Sequence, residues 1–285
     1  MRYGLAVSGG LNIPDPTAVI ITSDHHAGHT VGLTPPIVNL DDGGTYRPPE
    51  IVRRMWAYWL ECWQEVRDAT QGHRRIWIAN GDLVDYDAKQ RSNQYITNNK
   101  AQTLRLAVDV MEPGLDIVDS VIVVRGTPAH TGPDGELEET IAADITIAEP
   151  YSEERYSWPA VACNISGVLF DVRHHTSIGR LPWTQPNAAN KLAYNVRNRY
   201  IANGHKPPDY VIRSHVHVSV DSGDNYQTRA MTTPAWQLMT TYGLRLDVDY
   251  ADIGMIAILI DGGKAECKKW IVKLGAQRNP WRRRL

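Results

Sequence analysis

The segment Val19–His29, with the sequence VIITSDHHAGH, constrains the fold and the chemistry of this chain more than any other stretch. It opens with a run of β-formers that polar residues stop abruptly, which predicts a buried strand. Open α/β sheets carry their functional residues at the carboxyl ends of such strands. Because side chains alternate along a strand, Asp24 and His26 should point to one side and His25 to the other. A carboxylate and an imidazole on one side suit a transition metal, although a polar turn after a strand is also common.

Aspartate or histidine follows four further predicted strands in the same way. These strands and the residues after them are Arg75–Ala79 before Asp82 and Asp85, Ser120–Val124 before His130, Val168–Arg173 before His174 and His175, and Tyr210–Arg213 before His215 and His217. Each pair taken alone has an ordinary explanation, as a turn or as the polar face of an edge strand. The ends of parallel strands converge in space, however. The five strand ends together therefore predict a metal site.

Predicted helices alternate with predicted strands in the first part of the chain, and the later part is predicted to be mostly strands. The predicted helices are Glu50–Thr70, Asn98–Met111 (ended by Pro113-Gly114), Gly135–Ala148 and Asn187–Ala202. The remaining predicted strands are Ala160–Ile165, which pairs with Val168–Arg173 around Ser166-Gly167, and segments near 228–232, 254–260 and 268–272. The tryptophans of the first helix are interpreted as core residues, not as a platform for stacking bases.

This order of elements favours a layered α/β sandwich, with two sheets between helices, in a single domain over residues 1–285. A loop insertion rich in proline and glycine is expected near residues 30–49, and a basic tail at 278–285. The tail contains Arg282–Arg284, for which a solvated end and a contact to a phosphate backbone are both open.

Composition excludes several classes of protein. The chain has 42% hydrophobic and 22% charged residues and a formal net charge of −2, which is typical of a soluble globular protein without a global attraction to nucleic acid or anionic membrane. Its three cysteines are far apart and predict buried thiols in a reducing compartment. The N-terminus lacks an apolar signal segment, and Met255–Ile260 is too short to span a bilayer. We expect a cytoplasmic protein without a membrane partner, and nothing in the sequence indicates its oligomeric state.

The ordered motifs D-x-H, G-D-x-x-D, G-…-H, H and S-H-x-H run from Val19 to Val218 and resemble those of the calcineurin-like metallophosphoesterases. The resemblance implies a four-layer α/β/β/α sandwich that holds two divalent transition metal ions. Ligand sets of imidazole and carboxylate suit Mn, Fe, Zn or Co and do not choose among them. Two such ions about 3.5–4 Å apart neutralise the phosphoryl oxygens and hold a bridging hydroxide in line with the phosphorus.

The resemblance also assigns roles to individual residues. The implied metal ligands are Asp24, His26 and His217 for the first ion, His174 and His215 for the second, and Asp82 as the bridge between them. His175 is the alternative to His174, which is favoured because it matches the first histidine of the family's H-H-P segment. Asp85 would steady the ligand loop without touching a metal. Asp82 and His130 are the implied catalytic residues.

The chain departs from the family pattern at two places. Where the family has Gly-Asn-His, this sequence has Gly126-Thr127-Pro128-Ala129-His130, so the asparagine that completes the second metal shell is missing. The oxygen of Thr127 or a water molecule is expected to fill the gap. His130 either becomes a ligand or stays near the leaving group, where a protonated imidazole can donate. Ser214 replaces the glycine before the last His-x-His, and little effect is expected.

We therefore expect a metallophosphoesterase, most specifically a phosphodiesterase, with nucleotides or nucleic acid among the candidate substrates. The candidate substrate contacts are Arg91, Asn93, Arg180 and Trp183. His25 and His29 are expected behind the ligands or at the surface, in preference to a contact with the substrate. A nuclease of the same fold is the first alternative; the terminal arginines favour it and the net charge opposes it. A non-catalytic scaffold and a hydrolase with one metal ion are the others, because the asparagine is missing.

Overall fold

The computed structural model describes residues 16–86, 94–179, 181–240 and 251–274, which form two main sheets, a short hairpin and the helices around them. The strands are β1 (Thr17–Thr22), β2 (Val38–Asn39), β3 (Thr45–Tyr46), β4 (Arg74–Asn80), β5 (Ser120–Val124), β6 (Ser157–Trp158), β7 (Val161–Ile165), β8 (Val168–Val172), β9 (Tyr210–Arg213), β10 (Arg229–Thr232), β11 (Ala251–Asp261) and β12 (Lys264–Leu274). The helices are α1 (Glu50–Ala69), α2 (Lys100–Leu115), α3 (Pro128–Thr131), α4 (Glu136–Asp144) and α5 (Gln185–Ala202), with 3-10 turns at Pro133–Gly135 and Pro182–Thr184.

The strand order brings the functional ends of the strands together. The first sheet has the order β12-β11-β1-β4-β5-β6, in which β1, β4, β5 and β6 are parallel. The second sheet has the order β10-β9-β8-β7, in which β8, β9 and β10 are parallel. The register pairs Thr22 with Ala79 and Asn80 with Val124, so that β1, β4 and β5 end at nearly the same level. Their carboxyl ends therefore share one edge, as the sequence predicts.

Three buried clusters separate four layers. Alternate residues of β1 face opposite ways: Ala18 and Ile20 pack with α1 and α2, whereas Val19 and Ile21 lie in the cluster between the two sheets. A third cluster seats α5 on the outer face of β9 and β10. The order of layers is thus helix, sheet, sheet, helix, which confirms the predicted four-layer α/β/β/α sandwich.

Tryptophans fill the layer between the first sheet and its helices. Trp59, Trp63, Trp77 and Trp236 are among the largest fully buried side chains. Their rings are in edge contact, with centroids 4.7 Å apart for Trp59 and Trp236 and 4.8 Å apart for Trp63 and Trp77. Such edge contacts between aromatic rings are favourable beyond the area they bury. For Trp59 and Trp63 of the first helix, the interpretation as core residues is confirmed.

The expected end of the second helix before Pro113-Gly114 is wrong, since α2 continues to Leu115. Pro113 lies inside the last turn, where its ring removes one backbone hydrogen bond. Packing outweighs that loss. A Cβ built on Gly114 would lie 2.4 Å from Trp63 and 2.8 Å from Trp77, so the helix continues there because glycine lets it approach both rings.

The predicted helix Gly135–Ala148 is also too long, because α4 ends at Asp144. Ile145 has an extended backbone, and the chain beyond it pairs with β5 instead. The backbone N–H of Val121 donates to the carbonyl of Ile147, and the carbonyl of Val121 accepts a hydrogen bond from the N–H of Glu149. A sequence pattern cannot show this competition, because the partner strand is distant along the chain.

The loop at 30–49 contains the two-residue strands β2 and β3, paired as a small hairpin. The basic tail 278–285, with Arg282–Arg284, lies outside the described residues. Among the helices in the described ranges, none combines the length and the hydropathy that crossing a bilayer requires.

Candidate metal centre

Backbone hydrogen bonds continue past the strand ends and join the loops that carry the predicted ligands. Asp24 donates its N–H to Gly81 at 2.9 Å, and His26 donates its own to Asp82 at 2.9 Å. In the second sheet, Ser214 donates to the carbonyl of His174 at 2.8 Å. The order of the loops in the site therefore follows from the order of the strands.

The predicted ligands have an unusual backbone conformation. Eight described non-glycine residues have a φ in the left-handed region, and five of these are Asp24, His26, Asp82, His215 and His217. Residues with a Cβ adopt this region at a cost, and such residues collect at functional sites. Within the described part of the chain, the strain is thus concentrated where side chains must converge.

Asp24 is the centre of the first group of predicted ligands. Its Oδ1 lies 3.2 Å from His217 Nε2 and 3.9 Å from His26 Nε2. Its other oxygen, Oδ2, accepts hydrogen bonds from Ser23 Oγ at 2.6 Å and from the His215 N–H at 3.2 Å. Ser23 therefore fixes the carboxylate with Oδ1 turned toward the imidazoles.

Asp24 Oδ1 and His26 Nε2 are among the buried atoms of this group that have no hydrogen-bond partner in the described part of the chain. A buried polar atom without a partner is costly. Both atoms are metal-ligand types, and they lie with His217 in one group whose donor atoms are all within 4.8 Å of one another. The donor set fits a divalent transition metal ion.

Asp82 is the centre of the second group. Its Oδ2 lies 3.0 Å from His174 Nε2 and 3.9 Å from His215 Nδ1. The other ring nitrogen of His174, Nδ1, lies 2.7 Å from the backbone carbonyl of Asn80. A carbonyl only accepts, so Nδ1 carries a proton and Nε2 is the atom available to a metal.

Thr127 lies at the position of the missing asparagine, in the middle of the second group. Its Oγ1 is 3.0 Å from Asp82 Oδ2, 3.2 Å from His215 Nδ1 and 3.4 Å from His174 Nε2. Its backbone N–H also donates to Asp82 Oδ1 at 2.5 Å. The structure thus brings a neutral oxygen to the place where the sequence leaves a gap.

The two groups share their carboxylates. Donor atoms of Asp24, Asp82 and His174 lie within 4.8 Å of one another, and Asp24 Oδ1 is 4.0 Å from His174 Nε2. Two metal positions this close would need a shared anion to offset the repulsion between the ions, which is the role predicted for Asp82.

The electrostatics favour cations. Burial alone would raise the pKa values of Asp24 and Asp82, but the charges of His217 and His174 outweigh it and hold both pKa values below the usual range. Burial would lower the pKa of His174, but Asp82 raises it to about 10. In the metal-free protein the buried carboxylates therefore stay ionised by keeping imidazoles protonated. A metal ion would take the place of those protons.

His130 belongs to a third group at the rim of the site. It lies in the short helix α3, and its Nδ1 is 3.0 Å from Asp85 Oδ1. Asp85 Oδ2 is 3.3 Å from His26 Nδ1, so one carboxylate faces both imidazoles. Burial would lower the pKa of His130, but the hydrogen bond and charge of Asp85 outweigh it and raise that pKa to about 9. Asp85 therefore contacts side chains of the site, beyond the loop-steadying role expected for it.

The remaining histidines near the site differ in burial and position. His175 is exposed and its ring centroid is 4.3 Å from that of His215, so it remains an alternative ligand beside His174. His25 points away from the site and packs against Trp59 with centroids 5.2 Å apart, as strand alternation predicts. Burial lowers its pKa to about 3 and that of His29 to about 4. A surface position, which was one of the two expectations for these residues, is wrong because both are buried.

Glu138 is a site residue that sequence reasoning missed. This fully buried side chain accepts hydrogen bonds from the Gly126 N–H at 2.5 Å and the Leu83 N–H at 3.3 Å. Leu83 follows Asp82 and Gly126 precedes Thr127, so one carboxylate ties two ligand loops together. Burial, reinforced by the charge of Asp82, raises the pKa of Glu138 to about 8. Its helical spacing with buried Ile141 is the signal that could have indicated an inward position.

The candidate substrate contacts are mostly outside the described residues. Arg91, Asn93 and Arg180 lie there, and their roles remain predictions. Trp183 is described and lies in the 3-10 turn before α5, with 74% of its surface exposed.

Comparison with protein-family models gives no match, and none of the curated proteins matches the sequence. Solved structures with a similar fold include Vacuolar Protein Sorting 29 from Cryptosporidium parvum, at 12% identity and a TM-score of 0.44 over 90% of this chain and 98% of that chain. A dimetal phosphatase from Danio rerio is 10% identical, with a TM-score of 0.43 over 92% and 99%. A hypothetical protein from Pyrococcus horikoshii is 10% identical, with a TM-score of 0.43 over 91% and 89%.

At these TM-scores the assignment of the fold rests on the layers and strand order of the chain itself and on the residues at its strand ends. Those features are the four-layer α/β/β/α sandwich of the calcineurin-like metallophosphoesterases, with histidines and aspartates of the predicted motifs gathered at one edge. The resemblance inferred from the sequence is therefore confirmed at the level of the fold.

Replacing Thr127 by valine is expected to weaken binding of one of the two predicted metal ions by about tenfold, a loss typical when a group supporting a metal site is removed. Valine keeps the shape of threonine but lacks the oxygen that lies among Asp82, His174 and His215. Calorimetric titration of the metal-free chain with Mn²⁺ measures the effect, and Thr127→Ser, which keeps the hydroxyl, is the control. Unchanged binding of both ions by Thr127→Val would show that this oxygen has no part in the site.

The ion pair between His130 and Asp85 is expected to make the stability of the metal-free protein depend on pH. Because the folded pKa of His130 is raised from 6.5 to about 9, its contribution is complete below pH 6.5 and is lost as the pH rises through about 9. The difference in Tm between the wild type and His130→Gln should therefore shrink between pH 6.5 and pH 9. Thermal unfolding in EDTA at both pH values measures it. A difference that stays constant or grows with pH would contradict the assigned pair.

Proposed function

We propose that this chain is a metal-dependent phosphoesterase that hydrolyses phosphodiesters. One observation carries the proposal: two groups of closely spaced donor atoms are linked through the buried carboxylates of Asp24 and Asp82, and His130 lies at their rim. A buried site that keeps two carboxylates ionised fits cations, and a phosphoryl group is the anion that a pair of cations binds well.

The residues would hold the ions in the pattern that the sequence motifs imply. The first position would be formed by Asp24, His26 and His217, and the second by His174, His215 and Thr127, with Asp82 between them. Bound ions would neutralise the phosphoryl oxygens and activate a water for attack.

The chain's own residues prepare this site before any ion binds. Ser23 fixes the orientation of Asp24, and the carbonyl of Asn80 fixes the tautomer of His174. Glu138 holds the backbone on both sides of the second group. Such support around a metal site keeps the ligands within the narrow geometry that catalysis needs.

His130 is the proposed general acid. Its Nδ1 faces Asp85, which leaves Nε2 as the ring atom that can donate a proton to substrate. The raised pKa keeps the imidazole protonated near neutral pH. When water attacks phosphorus and the P–O bond to the leaving group breaks, the proton from His130 would pass to the departing oxygen. The products are a phosphate monoester and an alcohol.

The open rim of the site supports a diester over a monoester. The exposed fractions of the side chains are 37% for His215, 32% for His130 and 22% for His217. A diester carries a substituent on each side of the phosphorus, and an open rim leaves room for both. A closed pocket would instead favour a terminal phosphate.

Hydrolysis of bis(p-nitrophenyl) phosphate and p-nitrophenyl phosphate, measured side by side with added Mn²⁺, tests the proposal. Turnover of the diester is the expected result. Turnover of the monoester alone would move the assignment to a phosphatase, and no turnover of either by a metal-loaded chain would contradict an enzymatic function.

Thr127 in place of asparagine is the observation that favours a second candidate, a scaffold that keeps the fold without catalysis. A scaffold does not require the site to bind metal. A folded chain that takes up no ion and hydrolyses neither substrate would support this candidate.

A further inference from the structure

One long segment of the chain is basic, although the formal net charge of the whole is −2. Between Asp171 and Asp209 the sequence has no acidic residue and six basic ones: Arg173, Arg180, Lys191, Arg197, Arg199 and Lys206. The segment begins at the metal centre, because His174 and His175 are within it. A local excess of positive charge beside a proposed phosphodiesterase site attracts polyanions.

The helix α5 presents a regular exposed stripe to solvent. Its buried residues, Ala189, Ala193 and Val196, face the second sheet. Asn187, Lys191 and Tyr194 are exposed on the helix, and Trp183 of the preceding 3-10 turn continues their spacing of four, four and three residues. We refer to these four residues as the α5 stripe: Trp183, Asn187, Lys191 and Tyr194.

The stripe contains large aromatic surface that the fold does not bury. Trp183 is 74% exposed and Tyr194 is 53% exposed, the two highest values among the exposed large hydrophobic side chains described. The Tyr194 ring contacts Tyr226 edge-on, with centroids 6.1 Å apart. Exposed aromatic rings between cationic and amide side chains are the usual platform for stacking unpaired bases.

Nearby carboxylates do not cancel the positive charge. Asp171 is shared by three arginines, at 2.6 Å from Arg213, 3.5 Å from Arg199 and 3.7 Å from Arg173. Arg197 bonds only to the neutral amide of Asn198 among the contacts described.

The loop beside α5, which is joined to it by a hydrogen bond from Asn225 to Asn190, contains two more carboxylates. Asp221 pairs with Arg229 and Lys269, and Asp224 lies 3.7 Å from Arg229. These acids are thus matched by bases of their own, and the stripe keeps its excess of positive charge.

We propose that the α5 stripe binds single-stranded nucleic acid and leads its phosphodiester backbone toward the metal centre. This inference rests on the proposed function, since it names the substrate class of the same site. Lys191 would contact phosphate, and Trp183 and Tyr194 would stack on bases. Asn187 would hydrogen-bond to the edge of a base. Stacking requires unpaired bases, so a single strand is favoured over a duplex.

Fluorescence anisotropy of a short labelled oligothymidylate tests the proposal with the full chain in EDTA. The wild type should bind, and its affinity should fall as salt rises. Trp183→Ala should weaken binding by about tenfold, the loss of one stacked base. Lys191→Ala should weaken it less and lower the salt slope by about 0.7, the value for one phosphate contact on a single strand.

Controls come from α1, which lies in the opposite outer layer of the fold. Arg54 and Leu60 are exposed there, so Arg54→Ala and Leu60→Ala should bind within about twofold of the wild type, as surface changes away from a binding site do. Equal losses in the stripe and control variants, or no binding by the wild type, would overturn the proposal.

Two further outcomes would also overturn it. One is equal affinity for a duplex of the same length, because a duplex offers no unpaired base. The other is binding to phosphatidylserine vesicles, lost in the stripe variants, with no binding to the oligonucleotide. The readout in EDTA is independent of turnover, so a chain that binds the oligonucleotide without hydrolysing diesters would contradict the proposed function alone.

Discussion

Asp82→Ala is expected to lower the turnover of bis(p-nitrophenyl) phosphate by about a thousandfold, since losing several kcal/mol of charge stabilisation by metal ions corresponds to that factor. Asp82 is the carboxylate that lies within reach of His174, His215 and Thr127 together. Without it, the second ion loses its anionic ligand, and the proposed pair of ions loses the charge between them. Turnover should therefore fall through kcat more than through KM.

Two companion variants make this result interpretable. Asp82→Asn keeps the shape of the side chain and removes its charge, so it should lose most of the activity while disturbing the buried packing least. Asp144→Ala removes an exposed carboxylate at the end of α4 and should leave turnover unchanged. If Asp82→Ala and Asp82→Asn are folded by circular dichroism and keep turnover within about tenfold of wild type, the site does not act as proposed.

His130→Gln is expected to show an effect that depends on the leaving group. A diester with an alkyl leaving group needs a proton in the transition state, and removing a positioned acid costs about a hundredfold to ten-thousandfold there. p-Nitrophenolate departs without a proton, so the same variant should keep most of its activity on bis(p-nitrophenyl) phosphate. The measurement is kcat/KM for wild type and variant on bis(p-nitrophenyl) phosphate and on a dialkyl phosphate.

Asp85→Asn is the matched test of the positioning of His130. It removes the charge 3.0 Å from His130 Nδ1, and the pKa of the imidazole should fall back toward its ordinary value. Activity on the alkyl diester should then decline at a lower pH than in the wild type. Equal losses for His130→Gln on both classes of leaving group would instead indicate that His130 holds a metal or the fold.

The sequence predicts those parts of the site that depend on local order. Asp24 and His26 follow the end of β1 and lie in one group as predicted, although their backbone is left-handed and not extended, and parallel strands deliver Asp82 to the same edge. The helix limits, in contrast, depend on packing. Whether α2 passes Pro113 depends on how closely Gly114 approaches Trp63, which no local pattern contains.

The supporting residues of the site could not be predicted, because their partners are backbone groups far away along the chain. Glu138 comes within hydrogen-bond distance of the Gly126 and Leu83 backbone only in the folded chain. Ser23 and the Asn80 carbonyl hydrogen-bond to the predicted ligands Asp24 and His174, and no sequence motif marks these hydrogen bonds. The missing asparagine could be noticed in the sequence. Only the structure brings Thr127 Oγ1 between Asp82 and His174.

The two groups of donor atoms are proposed to hold metal ions. Metal analysis by mass spectrometry of the purified chain, after loading with Mn²⁺ and desalting, tests it directly. Two ions per chain are the expected result for the wild type, and fewer for Asp82→Ala. A folded wild-type chain that retains no transition metal would contradict it.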